Sequence, residues 1–213
     1  MDLRLKAPSC LQICGISQSG KSYLTAQIIR ERQRLFTEEF QTIIWIFREY
    51  QPLYDKLKLE FSNIIFSKDL KEAEPYLQST DHVLLVLDDC LMDLIHSSSK
   101  FLPYFIQGSH HQNNTIVLLT QTIFVPNNRI VQLNCHYIIL LTMARDSSSV
   151  LRLAYQISPL RPKFVYLAYK DAINREPYGH LLIDSFPHQQ EIARYRSSVF
   201  FWKDNFVLYS PKS

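Results

Sequence analysis

Short apolar runs alternate along this chain with longer amphipathic stretches. Residues 10–14, 42–47, 63–66, 82–87, 115–120 and 136–142 are apolar at nearly every position and bounded by polar residues. That is the pattern of strands buried on both faces. Residues 21–36 place Leu24, Ile28, Ile29 and Leu35 at helical spacing, and residues 53–59, 70–77 and 101–108 read as further helices, the last ended by Gly108. Strands of this kind separated by helices predict an α/β domain with a mainly parallel sheet covered on both sides. Beyond Ser158, residues 163–172 read as a helix, Tyr178-Gly179 as a turn and residues 180–183 as a strand. The segment 199–209 carries Phe200, Phe201, Trp202 and Phe206, and reads either as an edge strand packed on the domain or as a partner-docking segment. There is no internal repeat, and Ser97-Ser98-Ser99-Lys100 is too short for a linker. Residues 1–213 are therefore expected to form a single domain, with 159–213 a helix/strand extension of it.

Composition narrows this picture. At 213 residues the chain is long enough to bury a core without disulfides or a structural metal. With 46% hydrophobic and 20% charged residues, wholesale disorder is excluded. A net charge of +3 excludes a binder held by bulk positive charge, but not a local basic patch. Apolar runs such as residues 83–87 and 137–141 fall far short of the roughly 20 residues of a membrane span. The start, Met-Asp-Leu-Arg-Leu-Lys, has no signal-peptide apolar region, so the chain is expected to be soluble and not secreted by that route. Cys10, Cys14, Cys90 and Cys135 form no Cys-x-x-Cys pair and are expected to be reduced, packed thiols.

The chain has only four glycines, and two of them frame its sharpest motif. Gly15-Ile16-Ser17-Gln18-Ser19-Gly20-Lys21-Ser22 matches G-x-x-x-x-G-K-[ST], between a strand and a helix. At this composition a chance match is expected in about one chain in 2,000. Glycine is needed where the backbone bends tightly and approaches phosphate oxygens. The loop N–H groups and the positive end of the following helix then make an anion cradle. Lys21 would serve the β- and γ-phosphates of ATP, and Ser22 would hold Mg²⁺. The nucleotide-binding set is thus Gly15, Ile16, Ser17, Gln18, Ser19, Gly20, Lys21, Ser22 and the adjoining Tyr23.

Asp88-Asp89 closes the apolar run 82–87, and a strand delivers its C-terminal residues to the crevice where α/β sheets bind ligands. Asp88 is expected beside Ser22 on the metal, and Asp89 is expected to polarise the attacking water as general base. Many ATPases carry Glu at the second position, and Asp is one methylene shorter. Gln121, after the strand at 115–120, is expected between these motifs as a γ-phosphate sensor. GTPase motifs (Asp-x-x-Gly, Asn-Lys-x-Asp) and an ABC-type signature are absent. A small nucleotide kinase remains open, with Arg145, Arg152 and Arg161 as its lid. So does a non-catalytic nucleotide-binding subunit.

The order and spacing of several short segments carry a resemblance: Gly108-Ser109-His110-His111-Gln112-Asn113, Leu119-Thr120-Gln121-x-x-Phe124, Arg129-x4-Asn134, Tyr137-Ile138-Ile139-Leu140, Arg145-Asp146, Ala168-Tyr169-Lys170-Asp171-Ala172 and residues 178–184. Together they resemble the genome-packaging ATPases of the FtsK–HerA superfamily, in particular the poxvirus-type enzyme of polinton-like and other eukaryotic double-stranded DNA viruses. The resemblance spans about residues 11–184. It implies a RecA-like P-loop NTPase of the ASCE type, with an extra strand between the phosphate-loop strand and the acid strand. It also implies an ATP- and Mg²⁺-dependent motor. That motor would be a homo-oligomeric ring, pentamer or hexamer, moving double-stranded DNA through a capsid or portal vertex without sequence preference. No membrane partner is implied. The setting it implies is a virus-encoded protein inside the host cell, in the nucleus, a cytoplasmic virus factory or the virion. Lys21, Ser22, Asp88, Asp89 and Gln121 match the family positions. Arg129 matches an arginine after the sensor strand and, as a finger reaching a neighbouring subunit's γ-phosphate, would contribute about 10³–10⁵ in rate. A plain surface arginine is the alternative, and Arg145 is the rival finger. Ala144 stands where the family often has proline.

DNA phosphates are expected to meet Arg194 and Arg196, two apart on one strand face. The basic cluster Arg30, Arg32, Arg34 reads as helix-end cations. His110-His111 has no further ligand at metal spacing.

Overall fold

The computed structural model describes residues 1–90, 93–94, 100–108, 113–125 and 129–211. The elements in chain order are β1 (Cys10–Cys14), α1 (Lys21–Arg30), α2 (Arg32–Leu35), β2 (Thr42–Phe47), α3 (Leu53–Glu60), β3 (Ile64–Ser67), α4 (Leu70–Leu77), β4 (Val83–Asp88), β5 (Asn114–Thr120), α5 (Arg129–Leu133), β6 (Tyr137–Leu140), α6 (Ser147–Ile157), α7 (Pro162–Asn174), β7 (Leu181–Asp184), β8 (Tyr195–Arg196) and β9 (Leu208–Tyr209). They build one nine-stranded sheet in the order β3-β2-β4-β5-β1-β6-β7-β8-β9. From β3 to β6 every pairing is parallel; β7, β8 and β9 add on antiparallel. The expected extra strand is β5, which pairs with both β1 and β4.

The central strands are buried along their whole length because each face meets helices. On one face Leu11, Ile13, Leu84, Val86, Val117 and Leu119 pack with Leu24, Ile28 and Ile29 of α1. On the other, Leu85, Leu87, Ile116 and Leu118 pack with Leu70, Ala73 and Leu77 of α4. The period-2 alternation of a strand is legible in this split. A third cluster joins Ile138, Leu140, Leu181 and Ile183 to Val150, Leu153 and Ala154 of α6 and to Val165 and Ala168 of α7. Trp45 and all four cysteines are buried, and the cysteines are unpaired. No helix among the described residues is long and apolar enough to cross a membrane.

The structure corrects several expectations. The helix read at 21–36 breaks at Glu31, which leaves helical geometry (φ −96, ψ 10). The break turns Leu35 and Phe36 into the core beside Leu5, whose N–H donates to Leu35 O at 2.8 Å. The helix read at 101–108 holds a π-helical turn, Tyr104–Gly108. Two helices, α5 and α6, were not anticipated. The second has a legible start: the Asp146 side chain accepts from Ser149 N–H at 3.3 Å, ahead of Val150, Leu153 and Ala154. The aromatic tail packs on the domain: Phe200 is buried, Trp202 lies against the first cluster, and Arg34 stacks over Trp202 at 4.2 Å.

Arg196 does not face DNA. It is 1% exposed and bonds Asp184 Oδ2 at 2.7 Å, Leu3 O at 2.7 Å and Ala193 O at 2.7 Å. The strand there is two residues long, so Arg194 lies outside it and donates to Asp184 O and Glu191. Arg30 pairs with Glu60 and Arg32 covers Phe61, so that cluster is structural.

Two predictions follow from this packing. Removing one partner of a buried ion pair strands the other charge, so Arg196→Ala should lower the urea-unfolding free energy by about 3–5 kcal/mol. His180 is buried; its Nε2 accepts from Val199 N–H at 3.0 Å and its Nδ1 meets Tyr178 O at 3.2 Å, the pattern of a neutral imidazole. Burial lowers its pKa from 6.5 to about 4. The unfolded chain therefore takes up this proton first. The His180 contribution should be complete above pH 6.5 and lost as pH falls toward 4, with a slope of at most about 1.4 kcal/mol per pH unit. Chemical denaturation across this window should show a shallower acid loss for His180→Gln.

Candidate functional site

Strand β1 ends at Cys14, level with Thr120 on β5 and Leu140 on β6. The chain leaves the sheet pinned on both sides: Gly15 N–H donates to Thr120 O at 3.1 Å, and Ile16 N–H to Thr142 O at 3.2 Å. A Cβ on Gly15 would meet Ser19 Oγ at 2.3 Å. Gly20 takes φ +98 as the N-cap of α1, and a Cβ there would meet the Tyr178 ring at 2.3 Å. The positive φ requires glycine at Gly20, while at Gly15 a Cβ would crowd the Ser19 hydroxyl and come within 3.1 Å of Leu141 Cβ. The buried Ser19 Oγ has no hydrogen-bond partner among the described residues.

Lys21 Nζ donates to the loop carbonyls of Gly15 at 2.9 Å and Ile16 at 3.0 Å. Ser22 Oγ donates to Asp88 Oδ2 at 3.1 Å, and Tyr54 OH donates to the same oxygen at 3.2 Å. Burial pushes the Asp88 pKa up against these bonds, and burial pulls the Lys21 pKa down against the attraction of Asp88 and Asp89. Both groups are therefore held in their charged forms at a cost in desolvation. Asp89 is exposed, with a left-handed backbone at φ 59 that turns the chain off β4.

A cavity of about 390 Å³ is lined by Ser17, Gln18, Gly20, Lys21, Ser22, Tyr23, Asp88, Asp89 and Gln121. It adjoins a second cavity of about 500 Å³ that shares Lys21, Asp88, Asp89 and Gln121. Phosphate loop, acid pair and sensor position thus come together. Sequence reasoning missed four residues here. Tyr54 holds Asp88. Arg48 and Glu49 line the cavity, Arg48 paired with Asp93. Tyr178 arrives from the turn after α7. Arg48 and Glu49 had a signal, since they follow the C-terminal end of a buried strand; Tyr54 and Tyr178 had none.

Arg129 is not in this cavity. It is exposed at the first turn of α5 and lines a separate cavity of about 1040 Å³ with Gln132, Arg152 and Gln156. Arg145 is exposed in the turn after β6, three residues past Thr142. Arg152 stacks over Phe124 at 3.7 Å, and Arg161 stands at the N-cap position of α7 without a capping side-chain hydrogen bond. None of Arg145, Arg152 and Arg161 lines the phosphate cavity, so the structure assembles no arginine lid from them. No cluster of three or more His, Cys, Asp or Glu suited to a metal occurs among the described residues. His110-His111 and Pro126-Asn127-Asn128, which precede Arg129 and read as a turn in sequence, lie outside those residues. Burial pushes the Cys90 thiol up to about 12, which leaves it unreactive.

The electrostatics generate a prediction with opposite signs. Asp88→Asn keeps an acceptor for Ser22 and Tyr54 and removes a buried charge. It should raise thermal stability at neutral pH by on the order of 1 kcal/mol while abolishing nucleotide turnover. A melting curve and a phosphate-release assay check the two halves.

No protein-family model matches the chain, and no curated protein matches it in sequence. Solved structures do match. The DNA-packaging ATPase B204 from Sulfolobus turreted icosahedral virus superposes with a TM-score of 0.59 at 16% identity, over 85% of this chain and 94% of that one. The genome-packaging NTPase B204 of Sulfolobus turreted icosahedral virus 2, in complex with AMPPCP, gives 0.56 at 18% identity, over 83% and 92%. The cytoplasmic domain of the type VII secretion ATPase EccC from Thermomonospora curvata gives 0.57 at 13% identity, over 89% of this chain and 26% of that one. The chain therefore has the fold of the RecA-like P-loop ATPases.

Proposed function

We propose that this chain is a viral genome-packaging ATPase of the FtsK–HerA superfamily, an ATP-hydrolysing motor that moves double-stranded DNA into a capsid as a homo-oligomeric ring. One observation carries the reading. Lys21, the Ser22–Asp88 pair, Asp89 and Gln121 line one cavity on a fold shared over nearly the whole length of B204. The fold alone does not choose between packaging and other work, since EccC shares it.

Mg²⁺ fits the residues present. Ser22 and Asp88 offer two hard oxygen donors 3.1 Å apart, the small protein share expected when nucleotide phosphates and water complete the coordination. Bound there, the ion would neutralise charge on the transferred phosphate. Tyr54 and Ser22 orient the Asp88 carboxylate, and Lys21 would leave the loop carbonyls for the β- and γ-phosphates. Asp89, exposed beside them, would accept a proton from water. Gln121 would orient that water. Arg129 and Arg145, both exposed and outside the cavity, are the candidates to reach a neighbouring subunit's nucleotide. The partners implied are linear DNA and a capsid or portal vertex, inside an infected cell.

Steady-state ATP hydrolysis at low salt, with and without linear double-stranded DNA, tests this. Expected are stimulation by DNA, a rate rising more than linearly with protein concentration, and a fall of at least about 10²-fold for Lys21→Ala. Arg129→Ala should lower the rate by about 10³-fold while leaving ATP affinity unchanged; if only Arg145→Ala does so, Arg145 is the finger. Turnover indifferent to DNA and linear in protein would sink the motor reading.

A further inference from the structure

Among the described residues, Tyr178 is the one non-glycine residue with a left-handed backbone outside both the loop and the acid motif. That conformation is strained for tyrosine, and strain of this kind persists where the surroundings impose it. The surroundings here are specific. Glu176 is held by Lys203 at 2.9 Å, and Gly179 N–H donates to Glu176 O at 2.9 Å. A Cβ on Gly179 would meet Ala172 O at 2.5 Å, so the turn sits hard on α7. The buried His180 fixes the Tyr178 carbonyl. The ring is thereby set on Gly20 and against Tyr23, with ring centroids 5.1 Å apart. Both tyrosines remain about half exposed (52% and 49%).

These two rings belong to two cavities at once. They line the phosphate cavity, and they line a further cavity of about 350 Å³ together with Trp202, Gln27 and Glu31. Tyr23 directly follows Ser22, so the second cavity opens where a nucleotide leaves the loop. Aromatic faces stack any base, and the polar edge of Gln27 and Glu31 offers hydrogen-bond partners to a base edge.

We infer that Tyr178, with Tyr23, is the platform for the purine base of the bound nucleotide, and that the base occupies the cavity toward Trp202. This deepens the ATPase reading and rests on it. The C-terminal segment would thus sense the nucleotide: Trp202 and Lys203 both wall the cavity, and Lys203 holds the turn that carries Tyr178.

Calorimetric titration with magnesium ATP and with magnesium tripolyphosphate separates base from phosphate. Tyr178→Asn removes the ring and keeps a residue that tolerates the left-handed backbone. It should weaken ATP binding about 10-fold, about 1.4 kcal/mol, and leave tripolyphosphate binding within about 2-fold. Tyr178→Phe should bind both like the unmodified protein. ATP, but not tripolyphosphate, should change the tryptophan emission, and Trp202→Phe should abolish that change because Trp45 is fully buried in the core. Equal weakening of both ligands by Tyr178→Asn would overturn the inference and make the ring a prop for the loop. Unchanged ATP binding would overturn it by placing the base elsewhere. An unmodified protein that binds neither ligand would instead overturn the ATPase reading beneath it.

Discussion

The structure depends on β1 pairing with β5 on one side and β6 on the other. Adjacent strands lie about 4.8 Å apart, so inserting β5 sets the phosphate loop and the acid strand β4 about two strand widths from each other. That gap is what the Ser22 and Asp88 side chains span to meet at 3.1 Å. It is also why Gln121, at the end of the inserted strand, lies between loop and acids. Were β1 and β4 direct neighbours, no third strand would deliver a polar residue to the gap. Because Gly15 and Ile16 are bonded to the strand ends on both sides, the loop inherits the rigidity of the sheet.

The site stores electrostatic cost instead of relieving it. Asp88 and Lys21 are both shifted toward their neutral forms, although each attracts the other. A folded domain selected only for stability would not bury them so. The burial leaves charges in place that a phosphate and a cation would complete. The core makes Arg196–Asp184 tolerable: every donor of that guanidinium that is bonded meets a carboxylate or a backbone oxygen, and it ties the N-terminal segment to the antiparallel extension.

That extension is more than a cover. Strands β7, β8 and β9 lengthen the sheet beyond β6, and the turn entering β7 reaches back to touch Gly20. Phe200 of the aromatic tail shares a buried cluster with Leu24, Ile28 and Ile29 of α1, and Trp202 packs against it, while Tyr178 packs on Tyr23 at the start of the same helix.

The sequence by itself determined the local and the periodic features. Apolar runs marked β1, β2, β4, β5 and β6, because a strand buried on both faces has no polar position to hide. The loop glycines, Lys21, Ser22, Asp88, Asp89 and Gln121 were legible because phosphate chemistry demands those residue types at short, fixed spacing. The start of α6 was also written, in Asp146 followed by Val150 and Leu153, but its polar serines and Arg152 masked it. Only the tertiary structure decided which distant side chains meet. Tyr54, Arg48 and Tyr178 join the site from three separate segments; Arg48 follows the end of a buried strand, but nothing local to Tyr54 or Tyr178 signals it. Arg194 and Arg196 look alike in sequence, yet one keeps 22% of its side chain exposed and the other is sealed against Asp184, because the chain enters the sheet only at Tyr195. Periodicity reports which face of an element is covered; it carries no information on strand order, and strand order is what brings remote residues within hydrogen-bond reach.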